Sequence, residues 1–90
     1  MKIAELELEL EGISGTITRY TQNPYIVGYL NVLKKYVEQS NIEMIKMCLM
    51  KIIDWYKVNY DKIMSNQYVF NKQEHTDTRN LLNKILKELS

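Results

Sequence analysis

Residues 5–11 read Glu-Leu-Glu-Leu-Glu-Leu-Glu, and this alternation constrains the fold more than any other stretch of the chain. A period of two places Leu6, Leu8 and Leu10 on one side of an extended strand and Glu5, Glu7, Glu9 and Glu11 on the other. Leu and Glu are both good helix formers, so propensity argues for a helix while the pattern argues for a strand. Taken at face value, the pattern predicts a strand with one apolar face and one row of four carboxylates. Gly12-Ile13-Ser14-Gly15 then reads as a turn into the β-prone segment Thr16 to Thr21, giving a hairpin over residues 3–21 in which Leu10 lies beside Ile17. An isolated hairpin is marginal, so its leucine face requires a helical layer to pack on.

The rest of the chain supplies helices. Asn23-Pro24 is an N-cap followed by proline at the first helical position, and Ile26, Leu30, Leu33 and Val37 recur at spacings of three and four. A helix over about 24–39 follows. Ser40-Asn41-Ile42-Glu43 has the form of a capping box and opens a long helix over about 41–65. Ile42, Ile45, Leu49, Ile52, Ile53, Tyr56, Tyr60 and Ile63 form its core stripe. Met44, Met47, Lys51 and Val58 occupy a second face, which marks the helix as central or as part of an interface. Residues 66–76 break the helical period, with Tyr68, Val69 and Phe70 expected to plug the end of the core and His75 in a loop. Thr76 or Asp77 then caps a last helix over about 77–89, with Leu81, Leu82, Ile85, Leu86 and Leu89 inward. The predicted fold class is α+β, mostly α: an N-terminal β-hairpin packed on a three-helix antiparallel bundle, all within a single domain, 1–90.

Ninety residues, 46% hydrophobic and 26% charged, describe a globular unit with one modest core. Formal net charge is +1, so no global field recruits nucleic acid, which is not expected as a direct ligand. The lysines are interleaved with acids, as on a solvated face. One cysteine, Cys48, excludes an internal disulfide and fits a reducing compartment. No apolar run approaches the ~20 residues needed to span a bilayer. The expectation is a cytoplasmic protein with no membrane contact.

Catalytic chemistry has little to draw on. His75 is the sole histidine, with no cysteine or second histidine spaced to share a metal with it. Cys48, on the edge of a core stripe, has no base or orienting group near it in sequence. There is no glycine-rich phosphate loop and no nucleophile-elbow motif. The expectation is therefore a non-enzyme, without metal or cofactor.

Candidate contact residues fall in three groups. The glutamate row, Glu5, Glu7, Glu9 and Glu11, reads as a solvated edge that blocks strand recruitment, as a docking surface for a protein partner with a basic patch, or as a weak phosphate mimic. Tyr25, Tyr29 and Tyr36 lie along one flank of the first predicted helix; they are core-edge rings or an interface. Met44, Met47 and Val58 are candidates for self-association, as in a homodimer.

The composition is rich in lysine over arginine and in Asn, Ile and Tyr. In this it resembles the short accessory proteins encoded by phages and mobile elements of low-GC bacteria. That resemblance implies a small protein-binding inhibitor or regulator of a larger host protein, including anti-defence types such as anti-CRISPR proteins. The alternative is a homo-oligomeric helical protein, structural or DNA-associated.

Overall fold

The computed structural model describes residues 2–90, and they form four helices in chain order: α1 (Ile3–Tyr20), α2 (Pro24–Glu38), α3 (Ile42–Ser65) and α4 (Lys72–Leu89). Among the described residues there is no strand, so the architecture is a helical bundle. The predicted β-hairpin over residues 3–21 is wrong. That segment is a single helix, and the reason lies in a longer period than the seven-residue alternation reveals. Leu6, Leu10, Ile13 and Ile17 are spaced by four, three and four, and all four are buried. Leu8, which a strand would bury with Leu6 and Leu10, is 75% exposed. Continuing the stripe through Gly12 and Gly15 buries Ile17 and also Ile13, which a hairpin turn would have left unsupported. Neither glycine has positive φ, so neither acts as a turn residue. A glycine inside a helix costs about 1 kcal/mol relative to alanine, less than the roughly 1.5–3 kcal/mol from burying each aliphatic side chain.

The α1–α2 junction follows the sequence closely. Thr21 is extended and its N–H reaches Ile17 O, while Asn23 Oδ1 accepts from Tyr25 N at 2.9 Å and Pro24 opens α2. The α2–α3 junction differs from the predicted capping box. Ser40 N–H donates to Val37 O and Asn41 N–H donates to Tyr36 O, both at 3.0 Å, the paired bonds of a Schellman motif. Ser40 sits at its left-handed position with φ 52°, a place glycine usually takes. The cap of α3 is Asn41, whose Oδ1 accepts from Met44 N at 3.3 Å.

The last helix begins at Lys72, ahead of the predicted start at 77. Its first two turns bury His75 and Thr78, polar residues that leave no apolar period to read. Of the three residues expected to plug the core end, Val69 alone packs against it. Tyr68 and Phe70 project into solvent at 76% and 93% exposure.

The helices form a ring in which α3 packs most extensively, on α2 and α4, and α1 closes the circuit against α2 and α4. At about 1.5 Å per residue α3 should be some 36 Å long, close to the molecule's longest dimension of 39 Å. It is the axis on which the other three are assembled. The core contributes Ile26, Leu30 and Leu33 from α2, Ile45, Leu49, Ile52 and Tyr56 from α3, and Leu82 and Ile85 from α4. No helix is long and apolar enough to cross a membrane.

Candidate protein-interaction surface

Helix geometry redistributes the glutamates. Residues four apart share a flank, so Glu5 lies with Glu9 and Glu7 lies with Glu11, on either side of the outward Leu8. They are four exposed carboxylates in two pairs, not one row. Glu7 and Glu11 border a groove of about 230 Å³ between α1 and α2, where Lys34 and Glu38 face them. Glu9 borders a shallow dimple of about 210 Å³ between α1 and α4. None of the four forms an ion pair among the described residues, where the pairs are Arg19–Glu74, Lys46–Glu43 and Lys57–Asp54. The regular spacing required for phosphate mimicry by a strand is gone.

The tyrosine flank of α2 divides between core and surface. Tyr29 and Tyr36 are half-buried against the core, whereas Tyr25 is 55% exposed and meets the Tyr29 ring edge-to-face at 5.1 Å. On α3, Met47 and Val58 are eleven residues apart, three turns, and thus share one outward face. Val58 is 77% exposed and Met47 is partly so, with Met44 half-buried beside them.

Sequence reasoning missed the seam where α1, α3 and α4 meet. His75 is completely buried there, and its Nδ1 lies 2.9 Å from the Tyr56 hydroxyl. Tyr20 meets the imidazole edge-on at 5.5 Å and Trp55 at 6.1 Å, and Trp55 in turn packs edge-on against Tyr56. Burial pushes the Tyr56 phenol far above its ordinary value, so it stays protonated and can donate to Nδ1. The opposite polarity would leave both the phenolic hydrogen and Nε2 unsatisfied. With Tyr56 donating, only the Nε2 site is left over, and it has no partner among the described residues. Burial also pulls the His75 pKa down; the nearby Glu74 charge opposes that shift and Arg19 adds to it. Around this centre, Tyr60 Oη meets Thr76 Oγ1 at 2.8 Å, Arg79 stacks over the Tyr60 ring at 3.9 Å, and Arg19 pairs with Glu74 at 2.6 Å. Hydrogen bonds from Asn71 and then Arg19 hold the Glu74 carboxyl below its usual range.

The seam is a packed polar lock. No polar partner reaches Nε2, and no group of three or more His, Cys, Asp or Glu among the described residues is placed to hold a metal. Cys48 is buried on α3, and burial raises its pKa, which disfavours the reactive thiolate. The molecule presents outward the acidic, Leu8-bearing side of α1, the loop aromatics Tyr68 and Phe70, and Val58 of α3.

The chain is 32% identical over 87 residues to the uncharacterized protein YddK of Bacillus subtilis strain 168, and the match takes in 97% of this chain and 33% of YddK. The chain thus spans about a third of the length of the curated relative it matches. No family model matches it. No solved structure matches it.

Proposed function

We propose that this four-helix unit is a non-catalytic protein-binding module, an inhibitor or regulator of a larger host protein, encoded by a phage or mobile element. An anti-defence role of the anti-CRISPR kind falls within that reading. The observation that carries it is the outward side of α1, where Leu8 stands 75% exposed among four glutamates that have no ion-pair partner among the described residues. An exposed leucine contributes little to the fold, and four like charges on one helix oppose it slightly. The arrangement suits a partner with an apolar recess in a basic surroundings, where the leucine supplies contact area and the carboxylates supply orientation and on-rate. The match to one third of a longer protein supports a unit that can serve as a module.

The test is capture of the partner from bacterial lysate with the intact chain and with a Leu8→Lys variant, followed by titration of the purified partner. A larger protein retained by the parent chain, lost with Leu8→Lys and released steeply as salt rises, with its activity altered at one-to-one stoichiometry, is the expected result. Capture indifferent to Leu8→Lys and to salt contradicts this surface. A second reading is self-association through Met44, Met47 and Val58, favoured by the shared outward face of Met47 and the 77% exposed Val58. Light scattering separates the two, because a strict monomer at high concentration removes the second reading.

A further inference from the structure

The dimple between α1 and α4 has the attributes of a receptor for one side chain. It is lined by Gly12, Ile13, Thr78 and Leu81, with the exposed carboxylates Glu9 and Asp77 beside them. At about 210 Å³ it is smaller than the ~300–1,000 Å³ of small-molecule pockets, so it fits a single long side chain.

Two features of the dimple are unexplained by the fold itself. A Cβ added at Gly12 would have nothing within 4 Å, and the residue has no positive φ, so neither packing nor backbone requires glycine there. Its effect is to keep the dimple open. Thr16 and Thr78 also line the dimple, at 5% and 6% exposure, and neither hydroxyl makes a hydrogen bond among the described residues. Helical threonines commonly satisfy themselves on the carbonyl four residues back, as Thr18 does on Ser14 at 2.7 Å. Two hydroxyls lining an acidic-rimmed recess await a donor.

We propose that this recess takes the side chain of an arginine from a protein partner. The apolar floor receives the methylenes, Glu9 and Asp77 pair with the guanidinium, and the threonine hydroxyls accept its remaining N–H groups. An inorganic cation would leave the floor unused. Lysine could fill the stem but has one point of charge where the rim offers two carboxylates. Glu74, the third carboxylate at the rim, is already held by Arg19 at 2.6 Å and Asn71 at 3.0 Å. Asp77 accepts from Gln73 through Oδ1, which leaves its other oxygen free. The occupant comes from another protein, because both arginines of this chain are engaged, Arg19 on Glu74 and Arg79 over Tyr60.

The inference rests on the protein-binding reading, yet its test needs no partner, so the two fail separately. The probe is N-acetyl-arginine amide, titrated into the isotope-labelled chain by NMR, with the citrulline and lysine analogues as controls. Saturable shifts at Gly12, Thr16 and Thr78 are expected, with citrulline at least tenfold weaker and lysine intermediate. Gly12→Leu, which fills the dimple while favouring helix, should abolish the shifts and leave the melting temperature unchanged or higher. Thr78→Val should weaken binding several-fold with the fold retained. Non-saturating shifts spread equally over Glu5, Glu7 and Glu11, or binding indifferent to Gly12→Leu, would overturn the proposal. So would self-association lost in both Gly12→Leu and Arg79→Gln, which would assign the recess to a second copy.

Discussion

The N-terminal half of α1 and the seam around His75 show two ways in which one small bundle uses its polar residues. In the first, every charged group points outward, none is paired among the described residues, and the helix is held by one narrow stripe that includes Leu6 and Leu10. In the second, polar groups are taken inside and tied to one another, His75 to Tyr56 and Thr76 to Tyr60, under a ring of aromatic contacts. Removing charge from the first region should barely affect stability. Disturbing the second should destabilise the protein strongly. The difference separates surface available for recognition from residues committed to the fold.

The largest effect should come from Tyr56→Ala. The ring is fully buried and carries the hydrogen bond to His75, so a loss of about 3–5 kcal/mol is expected in urea unfolding. A loss below about 1 kcal/mol would mean that the seam is not the lock described here.

Acid should act on the same seam. Burial lowers the folded-state pKa of His75, so the unfolded chain binds more protons between that value and the ordinary 6.5. Stability is therefore full above the unfolded value and is lost as pH falls through it toward the folded one. Melting temperature measured from pH 7.5 downward should begin to fall below about 6.5, ahead of the carboxylate range in which Glu74 contributes its own acid loss. His75→Phe should remove the upper part of that slope. A parent profile that is flat from pH 7 to 5 would contradict the buried neutral imidazole.

A smaller effect belongs to the α2–α3 corner. Ser40 adopts φ 52° at the left-handed position of the Schellman motif, so Ser40→Gly should stabilise by up to about 1 kcal/mol in thermal unfolding. Destabilisation there would mean that the serine side chain has a role which the backbone geometry does not reveal.

The parts of this fold that sequence made legible are those where cap and period agree. Asn23-Pro24 and the spacing of Ile26, Leu30, Leu33 and Val37 locate α2, and the isoleucine-rich stripe locates α3. In α1 a conspicuous short period concealed a longer one. Glu-Leu alternation carries little strand information when both residues favour helix, and the decisive spacing ran on through Gly12 into Ile13 and Ile17. The start of α4 was illegible because its inward residues are His75 and Thr78, which join no hydrophobic count. The glutamates were recognisable as the acidic part of the surface, but their division around Leu8 depends on the helix. Asp77 and Thr78 could join Glu9 and Gly12 only once α1 and α4 were packed together.

The binding surface depends most on α1 being a helix that turns Leu8 away from the core, and Leu8→Ala and Leu10→Ala compared in urea unfolding test that orientation directly. A strand would bury both side chains on one face, whereas in the bundle Leu10 is 2% exposed and Leu8 is 75% exposed. The expected result is a loss of about 2–5 kcal/mol for Leu10→Ala and less than about 0.5 kcal/mol for Leu8→Ala. Equal, large losses at the two positions would contradict both the helix and the binding surface built on it.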